Sequence, residues 1–412
     1  MKIASQRQRR TALIAKDANR EATRFLTLRR PGPVLLGLVA AAAAVVAVPV
    51  SASASTDVSP VVGHVYVDDN TAGANTIGAF DRHADGTLTP QAGSPFTAGG
   101  AGTGAGLASQ GALQISPDGR FLIAVDAGSN QISVLRIKND GSLKLMPHGV
   151  VSSGGVLPVS VAIHDDLVYV ANSGTGGSNY TGFRLSPSGR LAPIAGSTVA
   201  LPDGSQPGDV LFNGDGTKLA GTRIGTSLID SFTVGFDGRL TAAPGSPFTA
   251  QGLGPFGSEF RPTNPDQLFV SNAHNVGPGT GTISAFSDSP NGTLSPIGSS
   301  PFADNQTAPC WVEITHDGQF LFTVNTGSGE ISRYSIAPGG ALTLLGSTPV
   351  GKTGGVGAVD ARLGPDGGTL WVDESRIGAV GAFAVNGGSL TELASSPTAL
   401  PAGAAPAGIV VT

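Results

Sequence analysis

The chain predicts an all-β fold, a seven-bladed β-propeller with four antiparallel strands per blade. Three observations predict it. A Gly-x-Leu signature recurs seven times, beginning at Gly86, Gly141, Gly189, Gly238, Gly292, Gly340 and Gly388. The first and last copies lie 302 residues apart, about 50 per step, a spacing typical of four-stranded repeat units. Short alternating stretches precede the signature, such as Ile132-Ser133-Val134-Leu135 and Ile283-Ser284-Ala285-Phe286, and that period of two is the mark of a strand. Finally, the first unit lacks one strand, and the end of the chain supplies one.

Taken in order, residues 1–54 read as an address. Arg29-Arg30 precede an apolar run, Val34 to Val50, and Ala52-Ser53-Ala54 follows with small residues. That is the layout of a secretory signal peptide, with an uncleaved N-terminal anchor as the alternative. The run is short and Ala-rich for a membrane span. Export by the general route or by a twin-arginine signal stays open. Residues 55–412 then form the propeller and work outside the cytoplasm. Its first unit, from Gly63, shows second, third and fourth strands only. The second unit is complete. Ala112–Ser116 leads through the turn Pro117-Asp118-Gly119 to Phe121–Val125, then to Gln131–Ile137, and through Asp140-Gly141 to Ser142–Met146. Glycine there supplies the positive φ that a tight turn needs. Several units add Ser-Pro after the signature, at Ser94-Pro95, Ser246-Pro247, Ser300-Pro301 and Ser396-Pro397. The terminal stretch Ala407–Val411 reads as the missing first strand, which closes the ring and removes two exposed sheet edges.

Composition excludes several classes. One cysteine, Cys310, rules out an internal disulfide framework and a Cys-based zinc site, and beside Trp311 it reads as a small buried residue. The net charge of −5 becomes −12 once residues 1–54 are set aside, which argues against nucleic acid as a partner. The Gly-rich stretch 99–106 has no following helix to bind phosphate, and no Gly-x-Ser-x-Gly elbow is present. The six histidines show no metal-ligand spacing.

The run Ser116-Pro117-Asp118-Gly119-Arg120-Phe121-Leu122, its counterpart Thr315-His316-Asp317-Gly318-Gln319-Phe320-Leu321, and the strand ends Val324-Asn325-Thr326-Gly327 and Val170-Ala171-Asn172-Ser173-Gly174 resemble the lactonase-type seven-bladed propellers. That family includes a bacterial 6-phosphogluconolactonase and fungal muconate-lactonising enzymes. The resemblance spans all seven blades and implies lactone chemistry. It also implies Pro-His entering the fourth blade, Gly-Pro-Arg-His entering the fifth, and Asn-Glu on the fifth blade's second strand. Here those places read Pro207-Gly208-Asp209, Gly254-Pro255-Phe256-Gly257 and Asn272-Ala273.

Other polar groups share one face of the innermost strands. Counting back from each turn places Asp209, Glu259, Glu313, Asp360 and Arg362 on that face, with Trp311 in the same register. Glu259, Glu313 and Arg362 are the candidate catalytic set: a carboxylate pair of raised pKa can serve as general acid and base. Asp209, Asp360 and Trp311 are candidate ligand contacts, and so are Arg223, His274 and Arg376 at the ends of second strands. The carboxylates would equally suit Ca²⁺, a hard cation with oxygen ligands, or could simply bond neighbouring blades and channel water. No other cofactor is expected. The expected function is a secreted lactonase-like propeller that binds, or binds and hydrolyses, a small lactone or carboxylated metabolite at the channel mouth. The alternatives are a non-catalytic extracellular scaffold for a protein or wall polymer, and a Ca²⁺-stabilised propeller without a separate ligand. A monomer is expected, with a membrane partner only if residues 1–54 stay attached.

Overall fold

Each sequence repeat folds into a sheet of its own. The computed structural model describes residues 59–351 and 357–412, which lie in one compact unit, Asp57–Thr412. The address reading of residues 1–54 falls outside the described residues. Seven antiparallel sheets succeed one another along the chain, so the seven-bladed propeller is the fold. Among the described residues no helix is long and apolar enough to cross a membrane, and a single 3-10 turn, Ala127–Ser129, interrupts the strands.

Blade 1 consists of Val61–Asp68, Thr76–His83 and Leu88–Pro90, with the terminal strand Gly408–Val411 on its inner side. Val65 pairs with Val411, Tyr66 with Val410, Val67 with Ile409 and Asp68 with Gly408. The ends of the propeller are thus joined as the sequence predicts. Blade 2 begins at Leu113–Ile115. The inner strands of blades 3 to 7 are Pro158–His164, Pro207–Phe212, Pro255–Arg261, Pro309–Ile314 and Ala358–Leu363.

The period-two pattern sends alternate residues to the two sides of a blade. On Phe121–Asp126, Phe121, Ile123 and Val125 pack with Val161, Val168 and Val170 of blade 3. Leu122 and Ala124 turn to Tyr66, Ile77 and Ala79 of blade 1. Hydrophobic burial between blades therefore supplies the core. The Gly-x-Leu signature has two jobs. Its glycine takes φ between 76° and 88° in six blades, and Gly387 takes the turn in the seventh. Its carbonyl also accepts bonds from the preceding blade, as Gly141 does from Tyr66 Oη (2.7 Å) and Gly238 from Tyr169 Oη (2.8 Å).

The outer strands depart from the sequence reading. In blade 2 the fourth strand runs Leu143–Ser152, well beyond Met146. In five blades the fourth strand is split, for example Leu88–Pro90 and then Phe96–Thr97, both pairing with the third strand. The Ser-Pro serines lie at these breaks. The N–H groups of Ala79, Ser231, Ala285 and Ala382 donate to the hydroxyls of Ser94, Ser246, Ser300 and Ser396 at 2.7–3.0 Å. Each hydroxyl replaces the ladder carbonyl that the break removes.

Candidate functional site

The inner strands present a free edge to the channel, and each unpaired N–H there needs an acceptor. Side chains of the preceding blade provide it. Val210 N–H donates to Ser160 Oγ (3.2 Å), and Ser258 N–H donates to Asp209 Oδ2 (2.9 Å), as does Ser258 Oγ (2.7 Å). Leu363 N–H donates to Glu313 Oε1 (2.8 Å), and Ile409 N–H donates to Asp360 Oδ2 (3.4 Å). Asp209 and Asp360 therefore tie blade 4 to 5 and blade 7 to 1. Both are buried, which raises their carboxyls to about 7 and about 6.

Blade 5 breaks this series with Gly257, and a residue from the distant 99–111 linker fills the gap. Gln110 Oε1 accepts from Val312 N–H (2.9 Å), and its Nε2 donates to the carbonyls of Ser258 (3.0 Å) and Val312 (3.3 Å). Its own N–H donates to Gly208 O (2.9 Å), while Gly111 O accepts from Val161 N–H (2.8 Å) and Ser109 O from Trp311 Nε1 (2.8 Å). The segment 109–111 thus spans the channel from blade 3 to blade 6. Trp311 is held to this plug and lies 5.1 Å, edge on, from Phe256. Phe256, Ala273 and Ile224 join it in one apolar cluster. The three places where the family resemblance implies His, Arg-His and Glu are therefore occupied by Gly208, Phe256-Gly257 and Ala273, beside or within apolar packing. Sequence reasoning missed Gln110; the available signal was a glycine at 257, where other blades carry Ser160, Asp209, Trp311 and Asp360.

Beneath the plug lies a cavity of about 170 Å³, lined by Gln110, Gln114, Asp209, Ser258, Glu259 and Arg362 among others. It also reaches Ile163 and Phe212, near the turns from first to second strands. Arg362 Nη1 stands 3.3 Å from Glu313 Oε2. Burial pushes the Glu259 carboxyl well above its usual range; Glu313 adds to this and Arg362 opposes it. Glu259 Oε2 is buried without a hydrogen-bond partner. Burial also raises Glu313, against the pull of Arg362. The structure thus brings together Glu259, Glu313, Arg362, Asp209 and Asp360 around the channel.

Arg223, His274 and Arg376 do not join them. Arg223 ends its second strand three pairing steps, or about 10 Å, from the level of Glu259 and Glu313, and His274 and Arg376 lie two residues past the ends of theirs. Arg223 is buried in a two-pronged pair with Asp230, Nε to Oδ2 being 2.6 Å, so it serves blade 4 internally. His274 and Arg376 are exposed on the rim. Cys310 is buried, and burial raises its thiol to about 12, which leaves no reactive thiolate at neutral pH. A larger hollow of about 760 Å³ lies between blades 2 and 3. Its charges are mostly spent on each other, Arg120 on Asp118 (2.6 Å) and Arg184 on Asp166 (2.5 Å). Among the described residues no three His, Cys, Asp or Glu side chains converge as a metal-binding group.

Comparison with known proteins agrees with this architecture. The family model for the lactonase seven-bladed β-propeller matches residues 66–255 and 259–410, and the chain belongs to that family. No curated protein matches. Among solved structures, a candidate 6-phosphogluconolactonase from Bacteroides uniformis is 20% identical with a TM-score of 0.68, covering 85% of this chain and 99% of its own. A periplasmic gluconolactonase from Pseudomonas aeruginosa is 17% identical with a TM-score of 0.67, over 85% and 99%. At these identities the likeness is one of fold.

Proposed function

We propose that this propeller hydrolyses a small lactone in the cavity beneath the plug, with Glu259 as general base and Arg362 as the oxyanion and carboxylate contact. The observation that carries the reading is the buried, unpartnered Glu259 Oε2 at a cavity that also holds Arg362. The volume falls below the ~300–1,000 Å³ of drug-sized pockets, which favours a ligand of one small ring. In the reaction, Glu259 takes a proton from water as its oxygen bonds to the lactone carbonyl carbon. The guanidinium of Arg362, held by Glu313, faces the negative charge that builds on the carbonyl oxygen. The ring C–O bond then breaks, and Glu259 returns the proton to the departing ring oxygen. The product is a hydroxy acid, whose carboxylate pairs with Arg362. Family membership and the names of the two structural relatives support lactone chemistry. The positions where the family pattern expects its polar groups are apolar or glycine here, which supports a site moved down the channel.

The test is proton release by the full-length chain over a panel of sugar, aromatic and acyl lactones. Turnover above the spontaneous rate is expected. Glu259→Gln should lower kcat by about 10²–10⁴-fold, the usual share of general acid–base catalysis. Because the base must lose its proton and its carboxyl is raised, activity should climb toward alkaline pH. Absence of turnover on every lactone, or an unchanged kcat in Glu259→Gln, overturns the proposal.

A further inference from the structure

The two blades at the closure carry acids where the other five do not. The penultimate residue of the second strand is Val125, Ala171, Thr222, Ser271 and Val324 in blades 2 to 6, but Asp68 follows this register in blade 1 and Asp373 in blade 7. Thr222 and Ser271 show which way this position faces. Their hydroxyls donate to carbonyls of the next blade, Phe256 O (2.6 Å) and Cys310 O (2.9 Å). A carboxyl in that place can donate only while it holds a proton.

At the next position the contrast is in the partner. Asp126, Asn272 and Asn325 bond the third-strand hydroxyls of Ser133, Ser284 and Ser332. Asp69 and Glu374 meet glycine instead: a Cβ at Gly78 would lie 2.9 Å from Asp69 Oδ1, and one at Gly381 would lie 2.3 Å from Glu374 Oε1. Both of those oxygens lack a hydrogen-bond partner, and so do Asp68 Oδ2 and both oxygens of Asp373. Asp68, Asp69 and Asp373 are fully buried. The closing segment runs across them, with Ala405 N–H on Asp69 O (2.8 Å) and Ala407 N–H on Asp68 O (3.0 Å).

We propose that blade 1 is a proton-operated clasp: with Asp68, Asp69 and Asp373 protonated the terminal strand Gly408–Val411 stays seated, and their ionisation releases that strand before the rest of the ring. The charges of Asp360, Asp69 and Asp68 act on Asp373 and those of Asp126 and Asp69 act on Asp68, in each case adding to the rise caused by burial. Of these, Asp360 alone has a basic neighbour, Arg362, which it shares with Glu313. Glu374 lies beside Glu392. Among the described residues no basic side chain stands among the charges acting on Asp68, Asp69 or Asp373. Two carboxylates in one buried seam repel, so neutrality there requires a proton. Asp69, raised by burial to about 7, places the change near neutral pH. A bound cation is disfavoured because no three acids converge among the described residues.

Hydrogen exchange on the full-length chain tests the clasp, at pH 5 and pH 9 with the intrinsic rate removed. The terminal segment 404–412 should lose protection about tenfold or more beyond any loss in the blade 3 inner strand, Pro158–His164. Asp373→Asn should retain the acid-pH protection at pH 9, and Asp69→Asn gives a second variant if the first fails to fold. Unchanged protection of 404–412 overturns the proposal, and so does equal loss in both segments. Added Ca²⁺ that restores protection at pH 9 also overturns it, because the seam is then a cation site. The wild-type profile decides even if both variants fail to fold.

Discussion

Gly257 and Gln110 show how one missing side chain is replaced from a distance. A Cβ at Gly257 would lie 2.1 Å from Gln110 Oε1 and 2.6 Å from Cys310 O. The glutamine end could swing away, but the backbone carbonyl could not. Gly257→Ala should therefore destabilise the protein by about 2–3 kcal/mol, through strain and the lost bond to Val312 N–H. Gln110→Ala leaves that N–H without a partner and should cost about 1–3 kcal/mol. The urea midpoints of the two variants check both figures, and midpoints equal to wild type would show that the plug is not structural. Glycine at 257 is visible in the sequence. Its partner 147 residues earlier is not, because a linker crossing the channel leaves no periodic trace.

At the level of the strand, the repeated serine explains a motif that the sequence displays without a reason. Each Ser-Pro serine accepts one third-strand N–H where the outer strand is split. Ser94→Ala, Ser246→Ala and Ser300→Ala should each cost about 1 kcal/mol. They belong to separate blades, so the costs should add in the triple variant, as read by thermal unfolding. The terminal strand is a different case. Removing Gly408–Thr412 strips blade 1 of its inner strand and exposes the edge of Val61–Asp68. Loss of cooperative unfolding and self-association by strand pairing are expected, and size-exclusion chromatography with thermal unfolding reads both.

Over the whole molecule, burial of acids sets the pH dependence of stability. Asp69, Asp209 and Glu374 are raised to about 7, and Asp288, Asp304 and Asp360 to about 6, in each case chiefly by desolvation. Between about pH 4 and 7 the folded state then holds protons that the unfolded chain has lost. Stability is fullest at the acid end of this window and declines as pH rises through it. The turn aspartates Asp85, Asp118, Asp140, Asp215 and Asp317 are lowered by hydrogen bonds to their own turns. Their contribution is lost only as pH falls through the acid range below about 4, and their exposure keeps it small. Tm should be highest near pH 4–5 and fall toward pH 8 at constant ionic strength; a Tm that rises to pH 8 would contradict this balance.

The blade count, the strand order and the closure by Ala407–Val411 were legible from the chain alone, because alternation and turn glycines act over neighbouring residues. The shared face of Asp209, Glu259, Glu313, Asp360 and Arg362 was legible for the same reason, since register within a strand sets which way a side chain points. Packing between blades decided the rest. It set Asp209 to bonding Ser258, buried Arg223 against Asp230, and left Glu259 Oε2 unpartnered at a cavity. It also drew Gln110 into the gap at Gly257 and enclosed Asp68 and Asp373 beside the closing strand. Those outcomes depend on contacts between residues far apart in sequence, whose partners are fixed only when the ring closes.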